Sequence, residues 1–426
     1  MNAPEIKGWC PGAFAPMRSN DGLLMRAKIV GSRIAAAQLA ALAAIAAECG
    51  NGLVDLSQRA QLQLRGVSDA AAPEALRRLD AVGLLPRDAE AERVTNIIVT
   101  PLAGLDAAAA FDANALARQL AEALQADEAL HALPAKFLFA IDDGGALPID
   151  DVDADIRIVA AGGDTEVHVT AAGVEPVCAR LSDAVPTALK LARAFVALRD
   201  GAFEQRRMRR LVAAVGAGAV LRQAGLAAGT AAPRAETRAR DFLGARQAGG
   251  ISFAGVAAPS GRWRAAELAH LAALAGSEGL GEFRLTPWRA FLLPTATLEA
   301  SENIIRVAEA LRLVVSHDDA RLAVVACPGA PECPQAQGET RPHLARLALL
   351  AQKLAGADGV GLHLSGCAKG CARPKSSAVT LVANAGLFDL VDRGRASDAP
   401  QLRGLTIDAA VSALATRAKE YSCRTP

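Results

Sequence analysis

GLLMRAKIVGSRIAAAQLAALAAIAAECGNGLVDLSQRAQLQLRG (Gly22–Gly66) and GISFAGVAAPSGRWRAAELAHLAALAGSEGLGEFRLTPWRAFLLP (Gly250–Pro294) read alike. Each runs strand, turn, alanine-rich helix, Gly-containing turn, strand, arginine, strand. Arg59 and Arg289 fall in the matching place. Alternating strands and helices look alike in any α/β chain, so a plainer reading stands beside duplication. The order of elements favours duplication.

The segments that follow also pair. Asn96–Leu102 and Lys136–Asp143 read as strands. Ile156–Ala161 and Val167–Ala172 form a hairpin across Gly162-Gly163, and Ser182–Leu198 a helix begun by Ser182 or Asp183. Later come a strand Arg321–Ala326, a helix Gly338–Ala355, a strand Val360–Ser365, a hairpin from Ala378–Ala383 and Leu387–Val391, and a helix Ile407–Ala418. VTAAG (Val169–Gly173) and VANAG (Val382–Gly386) look equivalent. The expected organisation is a small α+β half-module (1–75), a larger α+β module (76–215), an Ala/Gly/Arg-rich linker (216–245), a second half-module (246–305) and a cysteine-bearing α+β module (306–426).

At 426 residues the chain exceeds one ordinary core, and 52% apolar content suffices for several. A net charge of +1, with both signs interspersed, offers no basic face for nucleic acid. The N-terminus lacks a basic stretch followed by an apolar core, so no secretory signal is expected. The apolar run Ile34–Ala47 falls short of the ~20 residues of a membrane span. A cytoplasmic protein with no membrane partner is the expectation.

Of the eight cysteines, Cys10, Cys49, Cys178 and Cys423 are scattered. The others stand in VVACPGAPECPQAQG (Val324–Gly338) and LHLSGCAKGCARP (Leu362–Pro374). In a reducing compartment such a group points to metal or catalysis rather than disulfides. Cys327 and Cys367 each leave a strand through a turn, which lets two loops aim thiolates at one point. The Cys-x5-Cys spacing is wide for zinc, whose pairs are closer. A [4Fe–4S] cluster on Cys327, Cys333, Cys367 and Cys371 accepts it. Zinc and unligated cysteines are the other readings.

In the context SGCAKGCARP, these two pairs resemble the cluster motif of the sulfite and nitrite reductase superfamily, and the duplicated layout is similar over nearly the full chain. GWCPGAFAPMRSNDGLL, DLSQRAQLQLRG, VTPLAGLD, HLSGCAKGCARP and GLFDLVDRGRASDAP are most similar to its precorrin-3B synthase branch. The resemblance implies an α+β, tandem-duplicated fold in which ferredoxin-like half-modules alternate with larger α+β modules. It also implies a tetrapyrrole substrate and electrons supplied from outside.

Arginine suits the carboxylates of such a ligand because its planar fork accepts two oxygens at once. Arg59, Gln61, Gln63 and Arg65 would share one face of a regular strand, with Ala60, Leu62 and Leu64 on the other. We expect them to bind substrate, a solvent-facing strand being the plainer alternative. Lys136 is the next candidate, and with Arg59 it forms the expected catalytic pair. Where the siroheme reductases carry further basic residues, this chain has Thr95, Ala135 and Leu138. Each charge-assisted bond to a small anion contributes about 1.5–3 kcal/mol, so this departure speaks against sulfite or nitrite. Lys369, Arg373 and Lys375 could offset the cluster's charge or simply face solvent. The histidines show no ligand spacing.

The resemblance therefore implies an O2-dependent monooxygenase that hydroxylates precorrin-3A, with lactone formation, in aerobic cobalamin biosynthesis. NADH is the implied ultimate donor. No Gly-rich dinucleotide fingerprint is found, so a separate reductase is the expected partner. A mononuclear non-haem iron could accompany the cluster. Two other readings remain: a siroheme-dependent sulfite or nitrite reductase, with Cys371 bridging cluster and haem, and a non-catalytic electron carrier.

Overall fold

The computed structural model describes residues 11–163, 165–229 and 241–422. Two alanine-rich helices organise its first body, Ala36–Cys49 and Ala265–Ser277. Each buries one stripe, Leu39, Leu42, Ala43 and Ala46 in the first and Leu268, Leu271, Ala272 and Ala275 in the second, at the three- and four-residue steps of a helix. The alanines keep both stripes low, and the helices pack on each other in one shared core. Both begin with the same device. The Ala35 amide donates to Gln38 Oε1 at 3.0 Å, and the Arg264 amide to Glu267 Oε2 at 2.8 Å.

Two antiparallel five-stranded sheets flank these helices. The first has the order Met17–Ser19, Gly22–Ala27, Leu62–Val67, Leu53–Leu56, Arg262–Arg264. The second runs Gly244–Ala248, Ile251–Ala257, Ala290–Thr295, Glu282–Leu285, Arg33–Ala35. The edge strands are exchanged: Arg33–Ala35 from the first half closes the second sheet, and Arg262–Arg264 closes the first. Trp263 anchors that exchange, fully buried with its ring 5.0 Å from Phe291.

The larger modules also repeat. Ile97–Val99, Phe139–Asp142 and Ile156–Ala160 run parallel, followed by antiparallel Glu166–Ala171 and Val177–Arg180. Val324–Ala326, Leu362–Ser365, Val379–Asn384, Leu387–Asp392 and Leu402–Leu405 repeat the same pattern. Ala113–Ala126 and Leu344–Lys353 are the crossover helices, and Ala184–Arg199 and Ile407–Ser422 follow the sheets. The fold is the expected duplicated α+β architecture.

Details differ from the reading of the sequence. VANAG turns after the third strand of its sheet and VTAAG after the fourth, so they are not equivalent. The counterpart of Ala385-Gly386 is Gly162-Gly163. Leu344–Lys353 starts later than expected because Arg341–His343 forms a tighter turn around Pro342. The stretch read as linker opens with a helix, Ala217–Ala224, whose Val220, Leu221 and Ala224 join the first module's core. Its residues 230–240 lie outside the described residues, as do Cys10, Cys423 and the GWC of the N-terminal motif.

Candidate functional site

Between the half-modules and the cysteine-bearing module lies a cleft of ≈ 640 Å³. Cys327, Cys333, Cys367 and Cys371 all line it, together with Arg59, Gln63, Arg65 and Lys136. Gln61 does not. The expected Arg-Gln-Gln-Arg stripe is broken because the strand starts only at Leu62. Before it comes a tight turn: the Ser57 amide donates to Gln61 O at 3.0 Å, and Ala60 sits at φ 51°. The turn re-aims Arg59, whose Nη2 donates to Lys136 O at 2.9 Å, so the two expected catalytic residues are neighbours. Gln61 is buried instead, bonding Ile29 N and Ile29 O at 2.8 Å each. It ties strand to turn and is not placed to meet a ligand.

The matching turn of the second half corrects another expectation. There the Thr286 amide donates to Ala290 O at 3.1 Å, and the residue at positive φ is Arg289 (62°). Arg289 is thus the counterpart of Ala60, and Trp288 that of Arg59. The match is off by one.

Arg65 lines the cleft but is already engaged. Its Nε and Nη2 lie 3.2 and 3.0 Å from the Asp21 carboxylate, and Nη2 is 3.4 Å from Glu332 Oε2. Arg262 completes this network, placing Nη2 2.7 Å from Glu332 Oε2 and Nε 2.8 Å from Asp55 Oδ1. Arg341 Nη1 reaches the same Asp55 oxygen at 3.2 Å. Burial alone would push the Asp55 carboxyl up, but the guanidiniums of Arg341 and Arg262 outweigh it and hold it at about 2. Glu332 precedes Cys333, and its backbone oxygen accepts Asn20 N at 2.9 Å and Ser19 Oγ at 2.6 Å. Both half-modules therefore grip the first cysteine loop.

The loops themselves are pinned by short bonds. Thr340 Oγ1 donates to Cys327 O at 2.6 Å, Ser365 Oγ to Cys367 O at 2.7 Å, and the Cys333 amide to Gly329 O at 2.8 Å. The Gly366 amide donates to Cys327 Sγ at 3.1 Å. A Cβ on Gly366 would stand 2.9 Å from Ala336 Cβ and 3.4 Å from Cys327 Sγ, so glycine is required where the loops approach. Burial pushes the Cys327 and Cys371 thiols up, and each feels the neighbouring cysteines.

No three His, Cys, Asp or Glu side chains among the described residues converge on a single metal ion. An iron–sulfur cube asks for something different, one thiolate for each of four irons around a wider space. Four cysteines around one cleft, with an amide directed at a sulfur, fit that group.

The reading of the sequence missed much of the charge. Arg26, Arg206, Arg207, Arg210, Arg289 and Arg341 also line the cleft, against a single acid among the described residues, Asp55. The run Gln205–Arg210 (QRRMRR) was a legible signal. Arg207 is held by Asp155, Nε to Oδ2 at 2.9 Å. Of the positions expected to have lost charge, Ala135 faces the cleft. Thr95 bonds Ala91 O at 2.7 Å, and Leu138 is packed with Ile98 and Ala140. Lys369 faces the cleft, whereas Arg373 and Lys375 pair with Asp358 at 2.7 and 3.0 Å. His363 is fully buried behind the second cysteine loop, neither ring nitrogen hydrogen-bonded. No helix among the described residues is long and apolar enough to cross a membrane.

Comparison with known proteins agrees with this geometry. Residues 15–82 and 244–311 each match the nitrite/sulfite reductase ferredoxin-like half domain. A precorrin-3B synthase of Sinorhizobium sp is 32% identical over 92% of this chain and 84% of its own length. A ferredoxin–nitrite reductase of Synechococcus elongatus is 30% identical over 84% of this chain and 76% of its own. In fold, the chain is similar to the Mycobacterium tuberculosis NirA protein, with TM-score 0.69 and 21% identity over 92% of this chain and 79% of that one.

Proposed function

This chain belongs to the nitrite/sulfite reductase superfamily, with precorrin-3B synthase among its relatives, and from that premise we propose that it is an iron–sulfur monooxygenase of an acidic tetrapyrrole. The substrate in this reading is precorrin-3A. One atom of O2 becomes a ring hydroxyl, with closure of a lactone by a ring acetate. The other leaves as water, taking two protons and two electrons; the electrons originate in NADH and arrive through a separate reductase, and NADH and solvent each supply one proton.

The observation that carries the reading is the cleft, where basic side chains from every module surround a space edged by four cysteines. A small anion needs two or three cations. So many, spread over one cleft, suit a large polycarboxylate. In this reading Arg59 and Lys136 hold substrate carboxylates, the Arg59 guanidinium being oriented by the bond from its Nη2 to Lys136 O. Gln63 offers an amide from the strand beside them. Arg65 acts at one remove, because Asp21 and Glu332 already take its charge. A [4Fe–4S] cluster on Cys327, Cys333, Cys367 and Cys371 supplies single electrons when bound. A mononuclear iron finds no set of three donors among the described residues.

The test is incubation of purified protein with precorrin-3A, O2 and a reductant. A hydroxylated lactone is expected, and its absence overturns the reading. The nitrite reductase relative and the place of Cys371 in the cleft favour a second reading, siroheme-dependent reduction of nitrite or sulfite. Sharp siroheme bands in the visible spectrum would support that one. A single broad shoulder, with iron and acid-labile sulfide in equal number, supports the first.

A further inference from the structure

Arg289 is an odd residue for its place. It holds a left-handed backbone conformation, φ 62°, which residues other than glycine seldom adopt and which often marks a functional constraint. The surrounding structure enforces it. Thr286 Oγ1 accepts the Ala290 amide at 3.1 Å and donates to Ala290 O at 2.9 Å, closing the turn. Trp288 stacks on Phe242 at 4.7 Å and donates Nε1 to Asp151 Oδ2 at 3.2 Å. On the other side Gly261 makes room, since a Cβ there would lie 2.8 Å from Arg289 Cδ.

The guanidinium so placed lines the cleft. Its hydrogen bond is a long one, Nη1 to Ser260 O at 3.4 Å. No carboxylate among the described residues lies within ion-pair distance of it, although Arg65, Arg207, Arg262 and Arg341 each have one. Burial, and then the nearby charge of Arg341, disfavour its charged form, and the Asp55 carboxylate, beyond ion-pair distance, offsets them only in part. A cation kept desolvated, beside another cation and with no carboxylate in contact, is costly unless an anion arrives.

We propose that Arg289 seats a carboxylate of the bound ligand, as the second half's counterpart in function of Arg59. The duplicated turns then each deliver one arginine to the cleft, from adjacent positions of the same five-residue frame. This rests on the reading of the cleft as the site of an acidic macrocycle, and it names a specificity residue for it.

The experiment measures binding of uroporphyrin, an octacarboxylic porphyrin, to the full chain by its Soret shift, for wild type, R289A, R289Q, R289K and R59A. Loss of one charge-assisted contact weakens binding about 10- to 100-fold. The expected result is that loss for R289A and R289Q, partial retention by R289K, and a melting temperature close to wild type. R289A is expected to fold, because Ala60 occupies the same turn position in the first half at φ 51°. If R289A unfolds, R289Q and R289K, which keep the side-chain stem, carry the comparison. Binding by R289A and R289Q within twofold of wild type, while R59A weakens, overturns the role of Arg289 and leaves the cleft reading intact. Failure of the wild type to bind overturns both.

Discussion

Arg262 Nη2 lies 2.7 Å from Glu332 Oε2, joining the exchanged strand of the second half-module to the loop between the first two cysteines. Both side chains are largely buried, 15% and 19% exposed. Removing one partner of such a pair leaves the other charge poorly solvated. Glu332→Gln is therefore expected to destabilise the protein by about 2–3 kcal/mol, the lower end for a buried pair because Arg262 keeps Asp55. Urea unfolding measures this. The same variant should also surrender iron faster to a chelator, since the loop bearing Cys333 loses its ion pairs with Arg65 and Arg262 and keeps only its backbone bonds to Ser19 and Asn20. Unchanged iron release would show that the loop is held by its backbone bonds alone.

Asp55 sets a limit on stability in acid. Its carboxyl is held down to about 2 in the folded state, against about 3.9 in an unfolded chain. The unfolded state then binds the proton first as pH falls. The stabilisation is complete above about pH 4 and lost on the way to pH 2. Asp55→Asn should lower stability at pH 7 and flatten the profile between pH 4 and 2. Thermal melts across that range measure both.

His363 acts in a different window. Burial, and then the charge of Arg373, push its imidazole down to about 4. The unfolded state takes up a proton near pH 6.5, the folded state only near pH 4, so stability falls as pH drops through that interval. His363→Phe should remove this fall while leaving the acid-range loss due to Asp55. A variant whose melting temperature still drops equally from pH 7 to 5 would refute the assignment.

Substitution of Cys327, Cys333, Cys367 or Cys371 by Ser is expected to abolish most bound iron and acid-labile sulfide. Cys178→Ser, at an exposed strand position, should retain the wild-type content. Gly366→Ala should behave like the cluster variants, because its new Cβ would press on Ala336 and the Cys327 sulfur. Metal analysis of the purified proteins distinguishes these outcomes.

Periodicity and order carried most of the fold. The strips Leu39–Leu42–Ala46 and Leu268–Leu271–Ala275 announce their helices, and the five-strand modules repeat in one order. The strand exchange was hidden, because Arg33–Ala35 and Arg262–Arg264 are three-residue segments whose partners lie in the other half. Cys327 and its three companions could be read from spacing and turn chemistry. Gln61 could not be placed, since a single residue in left-handed conformation, Ala60, cancels the alternation on which the stripe rested. Arg289 was legible only as a place in the repeat, and Arg341 not at all, for another reason. Their meaning comes from which carboxylates they lack or share, and that is settled by contacts hundreds of positions apart in the chain, such as Asp55 with Arg341.

The exchanged edges also bear on how the chain is made. Leu53–Leu56 has no neighbour on its outer side until Arg262–Arg264 exists, roughly 200 residues later. At ribosomal speeds of about 5–20 residues per second, that edge waits on the order of 10–40 s with its amides and carbonyls open. The nascent N-terminal half is therefore an unfinished sheet seeking a strand, and a ribosome stalled before Arg262 would release a polypeptide whose most available partner is another copy of itself.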